Sequence, residues 1–240
     1  NNFSHYTPVP GLNSLRAAIS EKFKRDNNLD YPADQIVAST GAKQSLAQLL
    51  MAITNPGDEI IVPAPYWVSY FQMVKMAEGT PVVIEATVDA DFKVTAEQVE
   101  QAITSKTKAF LFSTPCNPTG SVYSKNELAE LVKVFEKHPD MIIISDEIYE
   151  HINFMGEHIS IGQFDSIKDR VVTVNGVSKG YAMIGWRVGY LGAPKWLATA
   201  CNKMQGQTTS ATCSIAQKAT EAAVLADPIC TKDMRAAFLR

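Results

Sequence analysis

Three apolar runs in this sequence end in residues able to do chemistry. Residues 109–112 lead into Ser113-Thr114-Pro115-Cys116-Asn117-Pro118-Thr119-Gly120, and residues 141–144 into Ser145-Asp146-Glu147-Ile148-Tyr149. Residues 171–174 lead into Asn175-Gly176-Val177-Ser178-Lys179. An amide, a carboxylate with a phenol, and a primary amine thus follow successive runs, a set suited to nucleophilic and acid–base work. Each has a plain alternative. Asp146 could cap a following helix, Lys179 could be a solvated loop lysine, and residues 117–120 are all turn formers. Their joint position argues for a site.

The elements that must position them alternate strand and helix, which predicts helices packed on both faces of a mainly parallel sheet. Leu12, Leu15, Ile19 and Phe23 have helical spacing, as do Leu46, Leu49, Leu50 and Ile53 after Gly41. Short apolar runs at 36–38, 59–62, 81–84, 109–112, 141–144, 171–174 and 188–191 read as strands. Helices are expected over 66–77, behind capping boxes at Thr95/Gln98 and Ser124/Glu127, and from about Lys195, Ser214 and Ile229. In such a sheet, ligands bind beyond the carboxyl ends of the parallel strands, where the three stretches fall.

Composition narrows the function. With 22 basic and 25 acidic residues, a net charge of -3, the chain lacks the footprint of a nucleic-acid or anionic-membrane binder. No apolar run reaches membrane-spanning length, and no signal-peptide core opens the sequence. Cys116, Cys201, Cys213 and Cys230 show no CxxC spacing and read as reduced thiols of a cytoplasmic protein. No metal site is expected. A nicotinamide-binding domain fails because no G-x-G-x-x-G turn follows a first strand.

Asn117-Pro118-Thr119-Gly120, Asp146-Glu147-Ile148-Tyr149 and the stretch from Ser178-Lys179-Gly180 to Gly185-Trp186-Arg187-Val188-Gly189 together resemble the class I, fold-type I aminotransferases. The resemblance runs nearly end to end. It implies a three-layer α/β/α sandwich, mostly parallel with one antiparallel strand, and pyridoxal 5'-phosphate (PLP) carried on Lys179 as a Schiff base. It further implies that Asp146 pairs with the pyridine nitrogen, that Asn117 and Tyr149 hydrogen-bond the phenolic oxygen, and that Trp67 stacks on the ring. Gly41 and Ala42 at a helix start, with Ser178 and Arg187, would hold the phosphate. Tyr6 matches a tyrosine that reaches the neighbouring subunit's phosphate, which implies a homodimer.

Lys43, in Gly41-Ala42-Lys43-Gln44, places a cation against the helix dipole, and a bound anion would reverse that cost. It matches a lysine that recognises acidic substrates in one branch of the family, so aspartate with 2-oxoglutarate is the expected pair, with Trp67 and Asn117 also facing substrate. Residues 203–210 match an interface loop. The resemblance makes residues 1–240 the PLP-binding large domain of a longer enzyme. The N-terminal arm and the small domain, with its arginine for the α-carboxylate, have no counterpart here. Transamination by this stretch alone should then be severely impaired. Aromatic or other neutral amino donors, C–S lyase chemistry and a non-catalytic ligand sensor fit the same cradle.

Overall fold

The apolar runs pair into a single sheet. The computed structural model describes residues 3–240. Its strands are β1 (Ile36–Ser39), β2 (Glu59–Ala64), β3 (Thr80–Glu85), β4 (Thr107–Ser113), β5 (Ile142–Asp146), β6 (Val171–Gly176) and β7 (Gly189–Gly192), in the order β1-β7-β6-β5-β4-β2-β3. Neighbours run parallel except at β7, which is antiparallel to both β1 and β6. The sheet therefore has the single reversed strand that was expected.

Side chains alternate across a strand, and here the alternation sorts two cores. Ile60, Val62, Ala109, Leu111, Ile142 and Ile144 pack with apolar residues of α2 (Ala42–Ile53), α3 (Ser69–Met76) and α6 (Lys195–Thr208). Ile61, Phe110, Phe112 and Ile143 pack on the other face with α4 (Ala96–Ala102) and α5 (Lys125–Lys137). Each fully buried isoleucine, leucine, valine or phenylalanine among them contributes about 2 kcal/mol. Three layers result. On the β1–β7 edge, Leu15, Ile19 and Phe23 of α1 (Asn13–Asn27) pack on Ile36, Ala38 and Tyr190, and α7 (Ser214–Leu225) packs beside α1. Helix α8 (Ile229–Phe238) follows. The capping boxes at Thr95/Gln98 and Ser124/Glu127 form as their residue types predict.

Three local expectations are corrected. Helix α3 starts at Ser69 rather than Tyr66, because Tyr66 and Trp67 lie in the irregular connection after β2 and only continue the apolar stripe in sequence. Residues 203–210 are helical as far as Thr208 rather than a loop. Gln205 is fully buried there, donating to the Val9 and Ala38 carbonyls, and its Oε1 accepts from Ser39 Oγ, which ties α6 to β1. Strands β5 and β6 also run further than their apolar runs, so Asp146 and Gly176 are themselves ladder residues. Among the described residues, no helix is long and apolar enough to cross a membrane, and the four cysteines are unbonded.

Candidate active site

The register of the central strands brings the polar residues level. Ser113 pairs opposite Asp146, the Thr114 N–H donates to the Asp146 carbonyl at 3.2 Å, and the Glu147 N–H donates to Val174 at 2.8 Å. Beyond these strand ends opens a cavity of about 270 Å³. It is lined by Asn117, Asp146, Tyr149, Ser178, Lys179 and Arg187, with Ala42, Lys43 and Trp67. Nine of the residues picked out in the sequence therefore share one wall. The hairpin between β6 and β7 carries Lys179 near its start and Arg187 near its end.

Asp146 is the buried end of the site. Its Oδ2 accepts from the Tyr70 hydroxyl at 2.6 Å, and its Oδ1 accepts from the Ile148 N–H at 3.3 Å. Burial pushes its carboxyl up to about 6, while the Tyr70 hydroxyl, the Ile148 N–H and the charge of Lys179 pull the other way. Tyr70 is buried as well, and burial beside Asp146 raises its phenol well above the ordinary range. The Lys179 Nζ lies 5.6 Å from the centroid of the Tyr149 ring. Asn117 Nδ2 donates to the Tyr149 oxygen at 3.5 Å.

The outer end is built from backbone and charge. Gly41 is the N-cap of α2 at φ 88 and makes no side-chain cap. Helix N-terminal N–H groups and the dipole favour an anion there. Gly41 lies behind the wall rather than in it, since a Cβ at that position would come within 2.5 Å of Arg187 Nη2. Gly189 allows the same approach from the sheet, because its Cβ would meet the Ala42 nitrogen at 2.1 Å. Gly189→Ala should therefore push α2 off the sheet and cost about 2 kcal/mol or more, read as a lower denaturation midpoint. Lys43 Nζ sits 4.7 Å over the Trp67 ring, at the mouth.

The residues present fit PLP. A buried acid whose ionisation is opposed by desolvation would regain its charge beside a protonated ring nitrogen. Trp67 offers an aromatic face, Lys179 a primary amine, and Arg187 with the α2 N-terminus a phosphate seat. The Ser113 hydroxyl is buried at the cavity wall beside the Tyr70 phenol.

Tyr6 stands apart from this group: it is 98% exposed and does not line the cavity. Sequence reasoning missed Tyr70, Ser113, Ile148 and Ile184, which do. For Tyr70 a signal existed. A tyrosine inside a buried helical stripe needs a partner for its hydroxyl, and Trp67, one turn earlier, was already a candidate.

The family described as Aminotransferase class I and II matches residues 1–240. The chain is 47% identical over 240 residues to the aspartate/prephenate aminotransferase of Nitrosomonas europaea, covering 99% of this chain and 60% of that protein. It is 46% identical over 222 residues to a bifunctional aspartate aminotransferase and glutamate/aspartate-prephenate aminotransferase of Petunia hybrida, covering 92% and 46%. The chain thus spans about half to three fifths of these relatives' lengths. Among solved structures, the aspartate aminotransferase from Rhizobium meliloti superposes with a TM-score of 0.98 at 41% identity, over 100% of this chain and 60% of that one. The Thermus thermophilus aspartate aminotransferase with maleate gives 0.93 at 40% identity, over 98% and 60%. On its sequence match, its fold and the residues gathered at its strand ends, this chain belongs to the class I and II aminotransferases.

Proposed function

We propose that residues 1–240 form the cofactor-binding large domain of an aspartate aminotransferase, which moves an amino group between an amino acid, aspartate by preference, and 2-oxoglutarate. The observation that carries this reading is the convergence of Lys179, Asp146, Tyr149, Asn117, Trp67 and Arg187 on one cavity. PLP, on which the family depends, supplies an aldehyde that bonds covalently to amines and a ring that draws electrons from the neighbouring C–H bond.

The chain's own residues do the rest. Lys179 Nζ anchors the cofactor and, once freed by the incoming amino acid, takes the proton from the substrate Cα. Asp146 holds the ring nitrogen in its protonated state. Tyr149 and Asn117 hydrogen-bond the ring's phenolic oxygen, and Trp67 covers the ring face and excludes water. Ser178, Arg187 and the N–H groups of Gly41 and Ala42 bind the phosphate. The exposure of Tyr6 supports the part of this reading, drawn from the resemblance, in which Tyr6 reaches the phosphate of a second copy in a homodimer. A cytoplasmic location accompanies this reading.

Lys43 selects the substrate. Its ammonium at the mouth suits a side-chain carboxylate, and the aspartate named for the Nitrosomonas and Petunia relatives supports that choice. Lys43→Ala in the complete protein should raise KM for aspartate about tenfold, the equivalent of about 1.4 kcal/mol, and leave neutral donors nearly unchanged. The decisive assay mixes the complete protein with aspartate, 2-oxoglutarate and PLP and follows oxaloacetate. No oxaloacetate under any donor-saturating condition would end the proposal.

A further inference from the structure

A buried ion pair that does not line the cavity adjoins the chain segments carrying Tyr149 and Lys179. Lys22 of α1 is completely buried, and its Nζ donates to Asn27 Oδ1 at 2.7 Å and to Glu150 Oε1. Asp26 lies 3.8 Å from the same ammonium. Asn27 Nδ2 donates to the other Glu150 oxygen, Oε2, at 2.5 Å. Both oxygens of one carboxylate are thus held from α1. Burial works against the charge on Glu150, but Lys22, His151 and His158 overcome it and keep the carboxyl at about 2.

From Glu150 the contacts turn towards Lys179. His151 Nε2 lies 3.3 Å from Glu150 Oε1 without hydrogen-bond alignment, and burial lowers the imidazole's pKa, so the contact is one of packing and dipole rather than a formal ion pair. Its ring meets Tyr181 edge-on at 5.4 Å between centroids. It also fills the space beside Gly180, where a Cβ would come within 2.6 Å of His151 Cδ2. Glu150 is the neighbour of Tyr149 in sequence, and Gly180 is the neighbour of Lys179. The cluster therefore grips both chain segments whose side chains meet in the cavity, where Lys179 Nζ sits over the Tyr149 ring.

A buried ion pair is a poor source of stability, since an apolar pair of similar volume is often as good. What such a pair supplies is direction. We propose that Lys22, Glu150 and His151 are positioning residues that fix Lys179 against Tyr149, so that the amine keeps one approach to the reacting carbon. The proposal rests on the reading of Lys179 as the cofactor-bearing amine. It assigns α1, which contributes nothing to the cavity wall, a part in the chemistry.

The test uses the complete protein loaded with PLP. Lys22→Met combined with Glu150→Leu replaces the ion pair by apolar side chains, and His151→Ala removes the ring beside Gly180. Three quantities are read: the thermal midpoint, the cofactor Kd, and the pH midpoint of the absorbance of the lysine-bound cofactor. Both variants should melt close to the parent, bind the cofactor about tenfold more weakly and move the absorbance midpoint by about half a unit. A merely structural role would change the melting temperature alone. Either variant folding with parental Kd and parental absorbance midpoint overturns the proposal. Should the double variant fail to fold, His151→Ala decides alone, because its side chain is partly exposed and packs on the outside of the cluster. Parent protein without any lysine-dependent absorbance overturns the reading of Lys179 itself, and that outcome is distinct from the others.

Discussion

Replacing Lys179 by alanine should lower transamination by the complete protein at least about 10⁴-fold, the upper end of what one positioned proton carrier supplies. The reason is that, in the proposed function, this side chain has two duties. It holds the cofactor covalently, and its free amine then takes a proton from a carbon acid. No other lysine can stand in, since Lys43, the second lysine of the wall, lies at the mouth over Trp67. Lys179→Arg separates charge from proton transfer. An arginine keeps the positive charge in the cavity but does not give up its proton. It should be as inactive as alanine, and the absorbance band that appears when PLP is added to the parent should be missing from both. Activity in Lys179→Arg within tenfold of the parent would show that the charge alone suffices.

Asp146→Asn should have the second largest effect and act in opposite directions on activity and stability. In the protein without cofactor, burial holds the carboxyl near 6 against an ordinary value of 3.8. A raised acid contributes its full stability below the unfolded-state value and loses it as pH climbs through the folded-state value. Two units correspond to about 3 kcal/mol, lost between pH 4 and 6 and absent at neutral pH. Asparagine carries no charge to desolvate, and its carbonyl can still accept from the Tyr70 hydroxyl. The cofactor-free variant should therefore be up to about 3 kcal/mol more stable than the parent at pH 7–8 and no more stable below pH 4. Denaturant midpoints at the two pH values check this. Turnover should fall roughly 10³-fold, as when a single preorganised charge contact to the reacting system is removed. A stability difference between variant and parent that is the same at both pH values would mean that burial does not oppose the charge on the carboxylate. The combination places a stability cost at the point where the cofactor is to be held.

How much of this was legible beforehand depends on how far apart the interacting residues lie. Lys179, Asp146 and Asn117 could be picked out because each lies at the end of its own strand or a few residues past it, so one strand-end rule places all three. The two capping boxes and the sheet class were equally local. Tyr70 was not legible in that way: its partner Asp146 is 76 positions away, and its own surroundings, Met73 and Val74, read as core. Lys22 and Glu150 are separated by 128 positions, and a lysine in a helix is ordinarily solvated. The start of α3 was misjudged because Tyr66 and Trp67 keep the apolar rhythm of the helix while serving the cavity. The loop expected at residues 203–210 came from the resemblance alone, and the buried partners of Gln205 on β1, which hold 203–208 as helix, lie more than 160 positions away.

One topological detail has a larger consequence than its size suggests. Because β7 runs against β6, the chain returns after a short hairpin to the same rim it has just left. Had β7 been parallel, a crossover would have delivered Arg187 to the opposite edge of the molecule. In the proposed function, the spacing between the covalent grip at Lys179 and the anion seat at Arg187 is set by one uninterrupted stretch of backbone, residues 179–187, acting as a gauge for ligand length. A cofactor shorter or longer between its aldehyde and its charged group would meet only one jaw of that gauge. Discrimination among vitamin-derived aldehydes is then a property of the hairpin's length.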